Sequence, residues 1–492
     1  MMTMILMAIY LVAMIIMGLY LRTKVSDTRD YYVAGRSLPW YLIMMTMAAT
    51  YIGAGATLAD TGLAYDDGLA AAIPCLIGMG GMLLFGILSP KVSKIGFKYD
   101  IISVSGLLAY RFGKPLGFLS AFVVAWALIG TLAGQVSGSG TVIPIMFNNI
   151  GVTVSYEFAI VVMVCIMIFY VFLGGMFSVA WTDFVQCIIL VIGMSIILPL
   201  LMVPEAGGFG NIFDSSNYEL EGFLNFKPGM YVIGLTFTYI LYFLAGPPYW
   251  QRSFSSKDPQ TSRWGTILGI CVIVFYTCMI ILLGVTARNL MPTTDMESQA
   301  VVVTLMTQLM HPLISAIVTC AIMAAIMSTM SSYLLTSVQA IITDMIKPYK
   351  AMTEKHELIL AKVLVVVVGI AALIFALKVQ AILDALLLAM GFYSACMAAP
   401  VFCAVFWKKT TKAGAYASFF GGIFVYFLWN FVLGVPWEMN ATIPGGITSI
   451  ILIFTVSLAT YKSNPAPHFE GVERDDAVVD KRELEELEEK EA

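Results

Sequence analysis

The sequence predicts an all-α, polytopic membrane protein, because of its composition, its recurring apolar runs and the placement of its charges. Of its 492 residues, 60% are hydrophobic and 12% are charged, whereas soluble domains carry roughly 25% charged residues. A water-soluble chain of this length needs charge on its surface, so most of this surface does not face water. The composition excludes nucleic-acid binders, secreted disulfide scaffolds and disordered chains.

Thirteen apolar segments reach the length of about 20 residues that a membrane-spanning helix needs. The first lacks the basic start and the cleavage signal of a removed signal peptide, so we expect it to be retained. The predicted spans cover residues 3–22, 38–64, 69–90, 115–146, 156–174, 181–203, 230–247, 264–287, 312–340, 359–377, 381–406, 413–434 and 442–461.

The basic residues set the orientation of these spans. With the N-terminus outside, nineteen Lys and Arg residues, including Arg36, Arg111 and Arg252, fall in cytoplasmic loops or at span edges, and three fall outside. Positively charged loops face the cytoplasm, and a missed span would invert every later loop. We therefore expect a multi-pass protein of the plasma (inner) membrane with its N-terminus outside and its C-terminus cytoplasmic.

The net charge of −4 belongs to the C-terminal tail, residues 462–492, which holds five basic and eleven acidic residues. The remaining chain has a small positive balance. We expect a solvated cytoplasmic tail, with a regulatory partner site as the alternative.

Acidic residues are rare near the spans, and Asp183 stands out in the segment GGMFSVAWTDFVQ (174–186). Polar groups deep in a membrane are costly and usually functional. The alternative is that Asp183 caps a helix N-terminus in the headgroup zone.

The second span is irregular. Residues 48–62 combine small residues, hydroxyls, three glycines and an acid at membrane depth. Each glycine weakens a helix by about 1 kcal/mol, and a broken helix would leave backbone carbonyls available to coordinate a cation. The alternative is close helix packing through Gly and Ala.

The seventh span is interrupted as well, because Gly246 precedes two prolines, Pro247 and Pro248, that lack backbone donors. Interrupted helices at corresponding positions of two halves point to a transporter binding site. These spans would be the first members of two five-span repeats, residues 38–203 and 230–406. A proline kink without function is the alternative. Aromatic lining would come from Tyr51, Tyr239, Tyr242 and Phe243.

Four hydroxyls crowd into five residues of the ninth span. Ser328, Ser331 and Ser332 share one helical face, and Thr329 lies one turn beyond Ala325. Hydroxyl oxygens are hard, neutral ligands that suit a small alkali cation. The alternative is interhelical hydrogen bonding, at about 0.6 kcal/mol each.

The fourth span carries Gln135 within GQVSGSG (134–140), which offers donors and acceptors at depth. It either binds the substrate or makes an interhelical hydrogen bond.

The sequence contains no Walker A, TVGYG, HExxH or G-x-S-x-G motif, and its three histidines lie near span ends or in the tail. ATP-driven pumping and a histidine proton relay are therefore not expected.

The sequence resembles the sodium/solute symporter family, whose members carry sugars, proline, pantothenate, sialic acid, monocarboxylates or choline. Four segments carry the resemblance: AGRSLPW (34–40), GGMFSVAWTDFVQ (174–186), QRSFSSKDPQ (251–260) and AIMSTMSS (325–332). The resemblance implies a leucine-transporter-like fold: a five-plus-five inverted repeat with one extra helix before it (1–22) and two after it (413–461).

The resemblance also implies the ion sites, for one or two sodium ions per cycle. The principal sodium site would consist of Ala49, Ile52, Ala325, Ser328 and Thr329. A possible second sodium site would consist of Asp183, Ser328, Ser331 and Ser332.

The sequence departs from several members of the family at the substrate positions. Tyr51 stands where proline carriers have an acid and choline carriers have a tryptophan, and Gly246 stands where a further aromatic is expected. The arginine of sialic acid carriers has no match, and Gln135 lies near its position. The pocket candidates offer few hydrogen-bonding side chains, so we expect a carboxylate or an amino-acid-like solute rather than a sugar.

We therefore expect a secondary active transporter, not an enzyme, that couples sodium to uptake of a small organic solute by alternating access. Its partners would be the solute, sodium and the lipid bilayer, without nucleic acid, and it would work as a monomer. Substrate would bind at Tyr51, Gly53, Ala54, Gln135, Tyr239, Tyr242 and Phe243. The alternatives are a proton-coupled symporter of the same fold, a membrane-embedded sensor that signals through the acidic tail, and a channel.

Overall fold

A computed structural model describes residues 2–148, 151–213, 229–291, 297–378, 382–463 and 465–470. Over these residues the protein is helical, and its only β-type pairings are isolated bridges between Leu38 and Ser256 and between Thr411 and Pro465. The principal helices are α1 (Met2–Leu21), α2 (Trp40–Tyr51), α3 (Asp60–Asp67), α4 (Gly80–Tyr99), α5 (Val104–Phe112), α6 (Lys114–Asn148), α7 (Tyr156–Leu190), α8 (Leu198–Glu205), α9 (Gly229–Ala245), α10 (Pro247–Ser255), α11 (Pro259–Leu290), α12 (Pro312–Gln339), α13 (Glu354–Lys378), α14 (Ile382–Phe406), α15 (Lys412–Phe427) and α16 (Thr442–Thr460).

In the described ranges, eleven helical segments are long and apolar enough to cross a membrane, or twelve if a bent pair counts as one span. One segment, Tyr156–Glu205, has 50 residues, which is about 75 Å of helix against a hydrocarbon core of about 30 Å. Gly175 divides it, with non-helical angles of φ 52° and ψ −146°. The count of thirteen spans stays a prediction.

The predicted interruption of the second span is confirmed. The chain bends by 63° between Trp40–Tyr51 and Gly55–Ala71, and Ile52 has left the helical conformation, with φ −80° and ψ 87°. Because of this break, the spans predicted at 38–64 and 69–90 differ from the observed helices, and the third apolar helical segment runs from Ile73 to Tyr99.

The interruption of the seventh span is confirmed as well. Helix α9 ends at Ala245 and α10 begins at Pro247, with Gly246 between them at φ −62° and ψ 121°. The prolines supply no amide donors, so carbonyls at the end of α9 need other partners. The Tyr393 hydroxyl donates to the Ala245 carbonyl (2.6 Å), and the Trp250 indole donates to the Leu244 carbonyl (3.0 Å).

Helix α12 lies at the centre of the bundle. Every residue from Val318 to Gln339 is buried, and the helix packs against α1, α6 and α7. A helix that is buried all round has no solvent face on which to place polar groups. The hydroxyls of its middle turns must therefore bond to the helix itself, to a neighbouring helix or to a ligand.

Three arginines that we assigned to cytoplasmic loops or span edges are buried in the bundle. Arg36, Arg111 and Arg252 are 8%, 1% and 0% exposed. Arg111 donates to the carbonyls of Cys403 (2.9 Å) and Trp407 (2.8 Å), at the C-terminal end of α14. The loop helices fold back onto the bundle, where helix-end carbonyls accept hydrogen bonds from cations.

Arg36 lies outside the spanning helices and donates to Asp100 (2.9 Å). Burial lowers the pKa of Arg36 to about 10, and Asp100 opposes this shift. Arg36 therefore stays protonated at neutral pH and holds the segment before α2 against the end of α4.

The C-terminal tail contacts the bundle at Phe469, and its other described residues are partly or fully exposed. Phe469 is fully buried between Tyr99 and Tyr110, with ring centroids 5.2 and 5.3 Å away. The Glu470 carbonyl accepts hydrogen bonds from Lys98 and Tyr99, both at 3.1 Å. Residues 471–492 of the predicted acidic tail lie outside the described residues.

We expect Gly175→Ala to destabilise the protein. The φ of 52° is strained for any side chain, and a Cβ would lie 2.6 Å from the Tyr31 carbonyl oxygen. Such strain costs about 1–3 kcal/mol. The measurement is the thermal unfolding midpoint in detergent, with Gly80→Ala as the control, because a Cβ at Gly80 meets nothing within 4 Å. Equal midpoints for the two variants would contradict the prediction.

Candidate functional site

Four of the five residues predicted for the principal sodium site come together where the end of α2 meets α12. The Ala49 carbonyl oxygen accepts hydrogen bonds from the hydroxyls of Ser328 (2.9 Å) and Thr329 (3.1 Å). The same hydroxyls donate to the Ala325 carbonyl, at 2.9 and 3.1 Å. We call this group of four oxygen-bearing residues the α2–α12 cluster. It is buried, since Ser328 and Thr329 are 0% and 1% exposed.

The fifth residue, Ile52, lies at the break itself. Its N–H donates to the Ala48 carbonyl (2.9 Å), and its non-helical ψ turns its carbonyl out of the ladder of α2. No hydrogen bond joins this carbonyl to Ser328 or Thr329 among the described residues. Its role as a ligand therefore stays a prediction.

The chemistry of the cluster suits an alkali cation. Carbonyl and hydroxyl oxygens are hard, neutral ligands, whereas transition metals favour imidazole and thiolate. Across the ranges that the structure describes, no group of three or more His, Cys, Asp or Glu residues is placed to hold a metal ion.

Gly53 lies between this cluster and the predicted substrate residues. A Cβ at Gly53 would lie 2.6 Å from the Thr329 hydroxyl and 2.3 Å from the Gln135 side-chain oxygen. No side chain fits in this position, so glycine is what allows α6 and α12 to approach the broken backbone together.

Gln135 makes an interhelical bond in this structure. Its side-chain oxygen accepts a hydrogen bond of 2.6 Å from the backbone N–H of Ala54, the second residue past Ile52. A Cβ at Gly138 would lie 2.4 Å from the Ala54 Cβ, so α6 passes very close to the break. Of the two interpretations of Gln135, the interhelical bond is observed, and the substrate role stays a prediction.

Asp183 lies in a second polar cluster, which also joins α2 to α12. Its side chain is fully buried, and its Oδ2 accepts a hydrogen bond from the Thr46 hydroxyl (2.5 Å). The Arg252 guanidinium lies 3.6 Å from the same oxygen, while Oδ1 is buried without a hydrogen-bond partner. Because Asp183 lies inside α7, its interpretation as an N-terminal cap is wrong.

Arg252 joins this carboxylate to α12. It donates to the Ser332 hydroxyl and to the Pro248 carbonyl (2.8 Å). The Ser332 hydroxyl also lies 3.2 Å from the Thr50 hydroxyl. We call Thr46, Thr50, Asp183, Arg252 and Ser332 the Asp183 cluster.

Of the residues predicted for the second sodium site, the structure joins Asp183 and Ser332, through Arg252. The Ser331 hydroxyl instead donates to the Ser328 carbonyl (2.9 Å). Among the described hydrogen bonds, none links Asp183 to Ser328 or Ser331. Sequence reasoning missed Arg252, whose position after two prolines gave no sign that α10 would return into the core.

The predicted aromatic residues gather around Phe243. Its ring centroid lies 5.2 Å from that of Tyr51, 5.6 Å from that of Tyr239 and 5.7 Å from that of Tyr242. Tyr249, which the sequence analysis missed, lies 5.8 Å away. The hydroxyls of Tyr242 and Tyr249 are buried without hydrogen-bond partners. Such groups need an explanation, and a ligand is one.

The broken helix contacts the α2–α12 cluster, Gln135 and the aromatic group. Carbonyls and hydroxyls lie against its end at Ala49, Gly53 and Ala54 contact Gln135, and Tyr51 reaches the aromatic group. Movement of either half of the broken helix would therefore change both sites together.

Comparison with known proteins agrees with this geometry. The family model described as "Sodium:solute symporter family" matches residues 31–422. A relative in Staphylococcus aureus (strain JH9), named sodium/proline symporter, is 27% identical over 488 residues, covering 94% of this chain and 93% of the relative.

Two solved structures share the fold. A sodium-coupled sialic acid symporter in a substrate-bound, outward-open state has a TM-score of 0.79 at 17% identity, covering 96% of this chain and 99% of its own. Mhp1, a nucleobase-cation-symport-1 family transporter in a closed conformation, has a TM-score of 0.55 at 16% identity, covering 90% and 96%. Both are transporters of the leucine-transporter-like type, so the predicted fold class is confirmed, although the helix count is not.

The match extends over most of the chain and includes both breaks, both polar clusters and the aromatic group. A transporter family is compatible with the expectation that the protein is not an enzyme. The chain belongs to the sodium:solute symporter family.

Proposed function

We propose that the protein carries a small organic solute into the cell, together with sodium, by alternating access. The observation that carries the proposal is the α2–α12 cluster, in which the Ala49 carbonyl meets the hydroxyls of Ser328 and Thr329. Four oxygen-bearing residues converge there from two helices, with no charged side chain among them. Sodium at this point would tie the broken helix to the centre of the bundle.

The proposed architecture has thirteen spans, with the N-terminus outside and the C-terminus in the cytoplasm. The protein would lie in the plasma membrane. Two observations support the count: Gly175 divides the 50-residue segment Tyr156–Glu205, and the bent pair can be taken as one span. Residues 38–203 and 230–406 form the two repeats, preceded by 1–22 and followed by 413–461. One chain contains both halves of the site and works as a monomer.

Alternating access follows from the position of the break. When sodium bridges α2 and α12, the half-helix before Ile52 is held against the bundle and the outward-open state is favoured. Solute then binds beside Tyr51 and Phe243, and the cytoplasmic path opens. The membrane potential contributes about 2.3 kcal/mol per charge per 100 mV to sodium entry.

The solute is proposed to be a carboxylate or an amino-acid-like compound. The backbone restarts its helical turns after Gly53, and the positive N-terminal end of a half-helix favours a carboxylate. The tyrosine hydroxyls of Tyr242 and Tyr249 add hydrogen-bonding groups next to the Phe243 ring. Arg252 is engaged with Asp183 and Ser332, so its guanidinium is not offered to the solute. The relative named sodium/proline symporter makes proline the first solute to test.

We expect Ser328→Ala to weaken sodium coupling. The substitution removes one oxygen of the α2–α12 cluster, and a lost hydroxyl of this kind costs about 1–3 kcal/mol. The sodium concentration for half-maximal uptake should therefore rise by about 5-fold to about 150-fold. The measurement is sodium-gradient-driven uptake of a panel of labelled solutes, proline included, into proteoliposomes.

Ser337→Ala is the matched control for this experiment. Ser337 is equally buried on the same helix, and its hydroxyl donates only to the Tyr333 carbonyl (2.7 Å). The proposal is overturned if no solute shows saturable, sodium-driven uptake, or if Ser328→Ala behaves as Ser337→Ala does. A proton gradient that replaces the sodium gradient would favour the proton-coupled alternative, and continuous conductance would favour a channel.

We expect Asp183→Asn to lower both stability and the sodium-to-solute ratio. The variant leaves Arg252 as an unpaired buried charge, which costs about 3–5 kcal/mol, and it removes the only carboxylate of the proposed second sodium site. The ratio of sodium to solute flux should fall from two to one.

The double variant Asp183→Asn with Arg252→Gln separates the two effects. It removes both charges, so stability should recover while the flux ratio stays at one. Thermal unfolding in detergent gives the first quantity, and parallel ²²Na⁺ and solute fluxes give the second. A ratio of one in the unaltered protein that is unchanged in Asp183→Asn would contradict the second site.

A further inference from the structure

A third polar group, centred on Asp344, has no part in the two clusters described above. Asp344 lies in a π-helical stretch, Ala340–Ile346, that extends α12. It is 5% exposed, and its Oδ1 accepts a hydrogen bond from the Ser103 hydroxyl (2.8 Å). Its other oxygen, Oδ2, is buried without a hydrogen-bond partner.

Asp344 also has no counter-charge. The four ion pairs among the described residues involve other acids: Asp100 twice, Asp183 and Glu357. A buried carboxylate without a partner is costly in its charged form, because the surroundings do not replace the lost water. Buried charges in proteins are paired or coordinate metal ions.

A small cavity opens beside this carboxylate. It has a volume of about 10 Å³, which is near the room that one water molecule needs, and a dehydrated sodium ion is no larger. Its polar lining consists of Ser103, Ser105, Gln251, Thr336, Gln339 and Asp344. The Ser105 hydroxyl is 1% exposed and, like Asp344 Oδ2, has no hydrogen-bond partner.

The two amides in the lining hydrogen-bond to the backbone and to each other. Gln251 donates to the Tyr32 carbonyl (2.9 Å) and to the Gln339 side-chain oxygen. Gln339 donates to the Ile102 carbonyl (2.7 Å). The atoms of the lining without a hydrogen-bond partner are oxygens, Asp344 Oδ2 and Ser105 Oγ, and the amide oxygens of Gln251 and Gln339 each accept a hydrogen bond and keep a second lone pair. This set favours a hard cation.

Hydrogen bonds of Thr336, which lines the cavity, connect it to the Asp183 cluster. The Thr336 hydroxyl donates to the Gln251 side-chain oxygen (2.6 Å) and to the Ser332 carbonyl (2.8 Å). Ser332 and Arg252, the chain neighbour of Gln251, are members of that cluster. The polar groups thus continue along α12 toward Lys347, in a loop predicted to be cytoplasmic.

We propose that this cavity is a transit site that binds one sodium ion, through Asp344, Ser105 and the amide oxygens, between the Asp183 cluster and the cytoplasm. The proposal rests on the proposed function, which makes sodium the transported ion. Sodium leaving the bundle would exchange one set of buried oxygens for another before it meets water. The negative charge of Asp344 would lower the barrier on this path.

The first test is direct binding of sodium to the purified full-length protein in lipid. Sodium-minus-choline infrared difference spectra should contain a carboxylate band that is absent in Asp344→Asn. Glu357→Gln is the control, because Glu357 is a second buried acid, 2% exposed, that already has Lys347 at 3.0 Å. That variant should keep the band.

A sodium-sensitive carboxylate spectrum that is unchanged in Asp344→Asn would overturn the proposal. So would a protonated-acid band from Asp344 that does not respond to sodium, which would assign the cavity to water. If Asp344→Asn does not fold, Ser105→Ala takes its place. It should raise the sodium concentration needed for the band several-fold, and an unchanged concentration would overturn the proposal equally.

Transport gives a second readout. Asp344→Asn should lower the maximal rate of sodium-driven uptake several-fold with little change in the external sodium concentration for half-maximal rate, because release is slowed and entry is not. Glu357→Gln should match the unaltered protein. Absence of any sodium-driven uptake in the unaltered protein would refute the proposed function, whereas a retained Asp344 band would still identify the cation site.

Discussion

The contact between the broken end of α2 and the hydroxyl face of α12 is the constraint on which the rest of the structure depends. The Ala49 carbonyl can meet Ser328 and Thr329 only because α2 stops at Tyr51 and the chain turns at Ile52. Gly53 then allows α6 and α12 to close on the turn without a side chain between them. The same break brings Tyr51 to the aromatic group around Phe243. The single break at Ile52 thus brings together the oxygens of the α2–α12 cluster, the backbone at Gly53 and the aromatic group around Phe243.

Because they are buried, the remaining polar groups need hydrogen-bond partners or a ligand. In a helix that is buried all round, each hydroxyl and carboxylate must be bonded or must pay a desolvation cost of a few kcal/mol. Asp183 meets this requirement with Thr46 and Arg252, although one of its oxygens stays unpartnered. Asp344 meets it only in part, through Ser103. The surroundings of these two acids are linked along α12, because Ser332 bonds to Arg252 and Thr336 bonds to Gln251.

The features that could be predicted from the sequence are those with local causes. Gly246 with Pro247 and Pro248 breaks a helix wherever it occurs, and the spacing of Ser328 and Thr329 on one helix follows from helical geometry. The sequence did not predict the burial of Arg252, because a count of charges in loops uses only the order of residues along the chain. Its pairing with Asp183 requires α7 and α10 to meet, which is a tertiary fact. Gln135 and Asp344 were ambiguous or unnoticed for the same reason, since their partners come from other helices.

The central claim is that the α2–α12 cluster binds sodium. Equilibrium binding of ²²Na⁺ to the purified protein tests it most directly, with the double variant Ser328→Ala and Thr329→Ala beside the unaltered chain. The account predicts saturable binding that potassium does not displace, with at least one sodium ion fewer bound by the double variant. Equal binding by both proteins would contradict it, because the ion would then be held by oxygens elsewhere.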